Sequence, residues 1–156
     1  AILEQIRGRG IVVAEITLRV GLGTFQPVRV ARVEDHKLHG EQYEISEAVA
    51  RQVNSAKQEK RRVVAVGTTA VRTLEFAARR SGAGVEAGSG EADLFIYPGY
   101  NFRVVDALLT NFHLPESTLL MLVCALGGKD TVMGAYRHAV EAGYRFYSYG
   151  DCMLVE

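Results

Sequence analysis

A short apolar run that passes through a glycine turn into an amphipathic segment constrains the fold of this chain most. Residues 62–66 read as a buried strand, Gly67, Thr68 and Thr69 as a turn, and residues 70–80 as a helix with apolar side chains at helical spacing. A strand that leads directly into a helix buries its apolar face when the helix packs on a sheet. We therefore expect an α/β fold in which helices flank a mixed β-sheet.

The rest of the chain alternates between apolar strand-like and amphipathic helix-like segments. We predict further helices over residues 1–7, 46–60, 115–126 and 131–141, and further strands over residues 11–20, 28–33, 92–97, 104–110, 145–148 and 153–155. The helix residues expected to face the core are Val49, Val53, Ala56, Val71, Leu74, Ala78, Val132, Tyr136 and Val140. Residues 81–90 hold four glycines and are predicted to form a loop. Neither a repeat nor a linker divides the pattern, so residues 1–156 are predicted to form a single α/β domain.

Composition indicates a soluble protein of the cytoplasm. Apolar residues make up 48% of the 156, and no apolar run approaches the ~20 residues of a membrane-spanning helix, so no membrane partner is expected. Cys124 and Cys152 lack metal-knuckle spacing, and His36 and His39 lack further ligands nearby, so no metal is expected. Positive and negative side chains balance at 18 each, so a nucleic-acid contact needs a local basic patch. Lys57, Lys60, Arg61 and Arg62 cluster in the sequence, and Arg79 and Arg80 would join them in space if the two helices lie on one side.

A dense polar stretch, TNFHLPESTLLM, lies between two apolar runs at residues 110–121. A segment that only had to fold would not need these polar side chains, so we expect Asn111, His113 and Ser117 to face a ligand. His113 would stand at a strand end, where sites commonly form, and imidazole transfers protons near neutral pH. The alternative is a core histidine that is hydrogen-bonded to a backbone carbonyl.

Other residues are candidates for binding or proton transfer. The turn at residues 67–69 would present free helix amides to an anion, although either threonine could instead cap the helix. Asp106 lies in apolar surroundings and is a candidate general base or ribose ligand. Tyr97 and Tyr100 lie on a proline-glycine turn, where their rings either stack on a purine or pack over the edge of the sheet.

Several motifs, taken in order, resemble one family. They are VGLGTFQPV at residues 20–28, HKLHGEQYE at 36–44, VGTTAVRTLE at 66–75, LFIYPGYNFRVVDALLTNFHLPESTLLMLV at 94–123 and YRFYSYGDCML at 144–154. Together they closely resemble the S-adenosylmethionine:tRNA ribosyltransferase-isomerase family of queuosine biosynthesis. The resemblance covers nearly the whole chain but only the C-terminal part of the family's main domain. The small β-barrel domain inserted in the family's N-terminal part has no counterpart in this sequence, so we expect a piece of a longer protein.

The resemblance implies a specific reaction. Members transfer and isomerise the ribosyl portion of S-adenosylmethionine onto 7-aminomethyl-7-deazaguanine in the tRNA anticodon loop. The product is epoxyqueuosine, and adenine and methionine are released. Such chemistry needs a base that removes a proton beside the sulfonium, a donor that helps adenine to depart, and attack by the amine of the modified base. No metal and no particular oligomeric state are implied.

Roles for the candidate residues follow from this resemblance. His113 is assigned proton transfer, with Asp106 as the alternative base or orienting group. The residues expected to bind substrate are Gly67, Thr68, Thr69, Arg72, Tyr97, Tyr100, Asn111 and Ser117. Among them, Arg72 and the amides of the turn would hold a carboxylate or phosphate, and one of the tyrosines would stack on adenine or the deazaguanine. Two alternatives stay open: a non-catalytic piece that binds tRNA or nucleotide without turnover, and a different nucleotide-binding transferase built on the strand–turn–helix unit.

Overall fold

The computed structural model describes residues 2–19, 32, 36, 38 and 40–156. The helices are α1 (Ile2–Gly8), α2 (Glu47–Gln58), α3 (Thr68–Ser81), α4 (Thr118–Gly127) and α5 (Lys129–Glu141). The strands are β1 (Thr17–Arg19), β2 (Glu41–Ile45), β3 (Val64–Val66), β4 (Gly88–Ala92), β5 (Ala107–Asn111) and β6 (Cys152–Val155). A 3₁₀ turn at Tyr147–Tyr149 precedes β6.

The described strands form two three-stranded sheets, where the sequence predicted one. The first has the order β1-β2-β4 and is antiparallel. In the second, of order β3-β5-β6, β3 and β5 run parallel and β5 and β6 run antiparallel. A parallel pair needs a crossover, and α3 lies within the connection from β3 to β5. The expected α/β class, with mixed strands and flanking helices, is therefore confirmed.

One apolar core joins the two sheets to the helices. Tyr43 and Ile45 reach it from β2, and Ala65 and Leu108 reach it from β3 and β5. The stripe predicted for α2 is buried, and Ser46 caps that helix by accepting a hydrogen bond from the amide of Val49 at 3.3 Å. The stripe predicted for α3 is buried as well. These helix predictions are therefore confirmed. They could be made from the sequence because amphipathic spacing and polar caps depend on residues that are close together along the chain.

Several predictions at strands are wrong. The structure has no strand at residues 93–97, and the strand lies at Gly88–Ala92, partly inside the predicted loop, because it pairs with β2. Strand β2 itself was not predicted, although its residues alternate between buried and exposed. In the predicted strand at residues 11–20, only Thr17–Arg19 pairs with another strand among the described residues. The strand predicted over residues 145–148 is replaced by the 3₁₀ turn, and the one over 28–33 lies outside the described residues except for Arg32.

The core face predicted for helix α5 is wrong at one position. Val132 and Tyr136 face the core as predicted, but Val140 is 65% exposed and Ala139 is buried in its place. The buried side chains therefore follow the spacing i, i+4, i+7. Within the described residues no single helix is long and apolar enough to cross a membrane, although α4 and α5, bent by 116° from each other, satisfy that criterion as a pair.

Candidate functional site

A cavity of about 410 Å³ opens where β3 and β5 end and where α3 and α4 begin. The described residues that line it are Leu18, Val66, Gly67, Thr68, Thr69, Ala70, Thr110, Asn111, His113, Leu114, Ser117, Leu119, Tyr147 and Ser148. The parallel strands bring their carboxyl ends to one edge of the sheet, which is where sites form in α/β proteins. The structure thus brings together two separate sequence predictions, the turn at residues 67–69 and the polar stretch that begins at Thr110.

The turn before α3 presents the start of that helix to the cavity. Gly67 is the N-cap residue and has φ +89°, a conformation that glycine adopts without a steric penalty. Its amide donates to the carbonyl of Leu109 at 2.9 Å, which ties the turn to β5. No side chain of the described residues caps the helix, so neither Thr68 nor Thr69 takes that role. The positive end of the helix dipole therefore faces the cavity.

His113 lies on the cavity wall with defined partners. Its Nε2 is 2.9 Å from Oγ1 of Thr110, and its backbone amide donates to the hydroxyl of Tyr136 on α5 at 2.9 Å. Burial lowers the pKa of His113 to about 4, because the imidazolium loses solvation. The imidazole is therefore neutral at pH 7 and can accept a proton without first losing one. The partner of the ring is a hydroxyl group and not the backbone carbonyl of the alternative interpretation.

Asn111 and Ser117 also line the cavity, but both have structural partners. Asn111 Nδ2 donates to the carbonyl of Asp151 at 3.2 Å, which joins the end of β5 to the start of β6. Ser117 Oγ donates to the carbonyl of Leu114 at 2.7 Å and accepts from the amide of Leu120 at 3.1 Å. Ser117 is thus the N-cap of α4, and its hydroxyl is occupied by the helix start.

Arg72 lies one turn into α3, outside the cavity lining. It is 3% exposed and forms a buried ion pair with Glu41 of β2. Among the described residues, none accepts a hydrogen bond from Nε or Nη1 of Arg72. Side chains on a helix lean toward its N-terminus, which here is the end that faces the cavity.

Asp106 lies before β5, at the opposite end of that strand from Asn111. It accepts a hydrogen bond from Lys57 Nζ at 2.7 Å and from the amide of Val63 at 2.8 Å. Burial on its own would raise the pKa of Asp106, but these hydrogen bonds and the nearby charges of Lys57 and Arg62 lower it overall. The structure therefore does not bring Asp106 together with His113.

Tyr97 and Tyr100 lie on a loop outside the cavity lining. The hydroxyl of Tyr100 donates to Glu75 Oε2 at 3.2 Å, and burial together with the charge of Glu75 raises the pKa of Tyr100 to about 12. Glu75 is fully buried and also accepts the amides of Arg103, Val104 and Val105 at 2.9 Å each. The ring of Tyr97 packs against Phe95 at 5.3 Å between centroids.

Three of the six residues in the basic cluster that the sequence indicated have carboxylate partners. Lys57 pairs with Asp106, Arg61 with Glu59, and Arg62 with Glu156. A second, open hollow of about 360 Å³ lies beside α2, lined by Val12, Ala48, Arg51, Gln52, Ser55 and Arg61. Arg51 pairs with Glu47, so both arginines of this hollow have carboxylate partners. The ring of His36 packs against Phe95, whereas its neighbour His39 lies outside the described residues.

Sequence reasoning assigned no individual role to eight of the described lining residues. They are Leu18, Val66, Ala70, Thr110, Leu114, Leu119, Tyr147 and Ser148. The signal for the last two was the aromatic-rich run YRFYSYGD, which was interpreted as a strand. Tyr147 has φ +62°, a left-handed conformation that its residue type does not predict. Thr110 was likewise not assigned a role, because its contact with His113 depends on the turn between them.

Comparisons with known proteins give one consistent result. A family model described as a queuosine biosynthesis protein matches residues 1–155. The S-adenosylmethionine:tRNA ribosyltransferase-isomerase of Trichlorobacter lovleyi is 60% identical over 154 residues, which are 99% of this chain and 45% of that protein. The protein of the same name from Pelobacter propionicus is 59% identical over 155 residues, with the same coverage of 99% and 45%.

A solved structure is also similar. The crystal structure of S-adenosylmethionine tRNA ribosyltransferase from Thermotoga maritima matches with a TM-score of 0.80 at 44% identity. The match covers 99% of this chain and 48% of that one. The chain therefore spans about half the length of the relatives that it matches.

Proposed function

Because the chain belongs to the queuosine biosynthesis protein family, we propose that it forms part of an S-adenosylmethionine:tRNA ribosyltransferase-isomerase. The enzyme transfers and isomerises the ribosyl moiety of S-adenosylmethionine onto 7-aminomethyl-7-deazaguanine in the tRNA anticodon loop. Epoxyqueuosine forms, and adenine and methionine leave. The observation that carries the proposal is the cavity that joins a neutral His113 to the free start of α3 in a chain 60% identical to a relative of that name.

The free start of α3 binds the negative end of the donor. A carboxylate at Gly67, Thr68 and Thr69 would accept hydrogen bonds from helix amides and lie at the positive end of the helix dipole. Arg72, whose Nε and Nη1 have no acceptor among the described residues, supports the same end of the site from the next turn. S-adenosylmethionine carries such a carboxylate on its methionine portion.

His113 is the proposed base. Its lowered pKa keeps the imidazole neutral at the pH of the cytoplasm, where we place the protein. A neutral imidazole on the cavity wall can take the proton beside the sulfonium. Asp106, the alternative base, is held by Lys57 at the other end of β5.

In this proposal the modified base reaches the donor in the cavity, and the other bases of the anticodon loop are contacted outside it. The half-buried rings of Tyr97 and Tyr100 are candidates to stack on bases of the anticodon loop, which has unpaired bases to offer. Arg103 lies close enough to Tyr100 to affect its pKa and is exposed, as a phosphate contact requires.

The arrangement of residues 1–156 as a single domain stays a prediction.

Two measurements test the proposed function. Calorimetry of the chain with S-adenosylmethionine shows whether the donor site is formed by these residues. Turnover is measured in a chimaera in which the chain replaces its counterpart in the full-length Trichlorobacter lovleyi protein. We expect the chimaera to release adenine from S-adenosylmethionine in the presence of tRNA that carries 7-aminomethyl-7-deazaguanine. Binding of the donor without adenine release would overturn the enzyme proposal and favour a binding role without turnover.

A further inference from the structure

Tyr147 contributes a ring to the cavity at a position that the fold holds firmly. Among the described lining residues, it alone carries a phenol or phenyl ring, and it is 44% exposed. Its backbone amide donates to the carbonyl of Phe112 at 3.0 Å. The ring before it, Phe146, packs on Phe112 at 5.0 Å and on Tyr136 at 5.9 Å. The chain is therefore anchored to the core on one side of Tyr147.

The backbone of Tyr147 is in a costly conformation. A φ of +62° places a bulky side chain in the left-handed region, which such residues rarely adopt. Conformations of this kind persist where the surrounding structure imposes them, and they occur often at ligand sites. Here the sharp turn after Phe146 directs the ring of Tyr147 to the cavity and not into the core. Within the described part of the chain, its one ring contact is edge-on with Phe146 at 6.3 Å.

The other walls of the cavity favour a flat, neutral ligand group near Tyr147. The described lining residues include no Asp, Glu, Lys or Arg. They instead offer apolar side chains, such as Leu114 and Leu119, and hydrogen-bonding groups, such as Asn111. A nucleobase combines a π-face with hydrogen-bonding edges, and stacking on an aromatic side chain is the common way in which proteins bind it.

We propose that the ring of Tyr147 stacks on the adenine of the ribosyl donor in this cavity. The identity of the donor rests on the proposed function, whereas stacking on a nucleobase does not. Tyr147 holds one end of the donor and the free start of α3 holds the other, and His113 lines the same cavity. The sequence had instead assigned this stacking to Tyr97 or Tyr100.

The test measures binding of S-adenosylmethionine and, separately, of adenosine to the chimaera described above. We expect Tyr147→Phe to keep both affinities within about threefold, because the π-face remains. We expect Tyr147→Leu to weaken both by about tenfold to a hundredfold. Tyr147→Gly should weaken binding equally while the melting temperature does not fall, because glycine adopts φ +62° freely. Tyr149→Leu is the matched control, since Tyr149 is 79% exposed and is not among the lining residues.

Each outcome decides the proposal. Unchanged binding by Tyr147→Leu, or an equal loss in Tyr149→Leu, would overturn it. If the Tyr147 variants lose affinity for a hypomodified anticodon stem-loop but not for adenosine, the ring stacks on an RNA base and the proposal fails. Wild-type chimaera that binds adenosine through Tyr147 but releases no adenine would refute the proposed function and leave the stacking in place. Wild-type chimaera that binds neither adenosine nor S-adenosylmethionine would overturn the stacking.

Discussion

Oγ1 of Thr110 lies 2.9 Å from Nε2 of His113, and this contact connects the imidazole to strand β5. Thr110 is buried, so its hydroxyl has little access to water as an alternative partner. The backbone of His113 is held in turn by Tyr136 of α5. Strand β5 and helix α5 therefore determine together where the imidazole stands on the cavity wall.

Replacing His113 by Ala should lower adenine release in the chimaera by about a hundredfold or more, because general bases contribute on that scale. Thr110→Val should lower the rate less and alter its pH profile, since it removes the partner of Nε2. Thr110→Ser keeps the hydroxyl and serves as the control. The measurement is the initial rate of adenine release across pH. A near-normal rate in His113→Ala would remove His113 from the mechanism.

The partly buried His113 should make the chain less stable in acid. An unfolded histidine titrates near 6.5, whereas burial lowers the pKa of His113 in the folded chain to about 4. Between these values the unfolded chain binds a proton that the folded chain does not bind. The contribution of His113 to the free energy of unfolding is therefore fully present above pH 6.5 and decreases as the pH drops toward 4. The decrease in the free energy of unfolding that is due to His113 should approach about 3 kcal/mol. Urea unfolding at pH 7 and pH 4.5 should show a smaller loss in His113→Gln, and an equal loss in both proteins would contradict this.

Asp106→Asn should destabilise the fold more than it affects turnover. The substitution weakens the hydrogen bonds to Lys57 Nζ and to the amide of Val63, and we expect about 1–2 kcal/mol of lost stability at pH 7. The lowered pKa means that this stability is present above the unfolded pKa of about 3.9 and is lost as the pH falls below it. Lys57→Met is the matched variant. Adenine release within a few-fold of wild type is expected, and a hundredfold loss would instead favour Asp106 as the base.

Ser117→Ala should cost stability as the loss of a helix cap and leave ligand affinity nearly unchanged. We expect a decrease of about 1–2 kcal/mol in the free energy of unfolding, because the amide of Leu120 loses its acceptor. Ser46→Ala removes the corresponding cap of α2, where the bond to Val49 is longer at 3.3 Å, and serves as the control. Affinity for S-adenosylmethionine is measured in parallel. A tenfold loss in Ser117→Ala alone would show that this hydroxyl binds the ligand.

Glu75→Gln should be among the most damaging substitutions outside the cavity. Glu75 is fully buried and accepts four hydrogen bonds from the loop that carries Tyr100, three of them from backbone amides. Loss of the charge should lower the free energy of unfolding by about 3 kcal/mol or more. Tyr100→Phe removes one of the four bonds and should cost about 1 kcal/mol. Equal effects of the two substitutions in chemical denaturation would argue against this anchoring role.

Local signals made some elements predictable. Ser46 and Ser117 begin helices α2 and α4 because a side-chain oxygen can reach an amide three residues on, whatever the rest of the chain does. The polar stretch from Thr110 and the turn at residues 67–69 were also identified as candidate site segments from sequence. Both border the same cavity because parallel strands β3 and β5 end side by side.

Other features depend on partners far along the chain. Gly88–Ala92 is glycine-rich and becomes a strand because β2 pairs with it, more than forty positions away in the register Glu41 to Ala92. Asp106 accepts a hydrogen bond from Lys57, and Tyr100 donates one to Glu75, and sequence spacing does not encode either contact. Residues that were equally good candidates for the site in the sequence therefore lie at different places in the fold.

The sequence by itself determined the helices, the α/β class and the family of this chain, because periodicity, caps and ordered motifs are properties of neighbouring residues. Only the tertiary structure decided the pairing of β2 with β4, the neutral state of His113 and the position of Tyr147 on the cavity wall. Each of these depends on what surrounds a residue after folding: a partner strand, the loss of water around an imidazole, or an anchored neighbour that forces a left-handed turn.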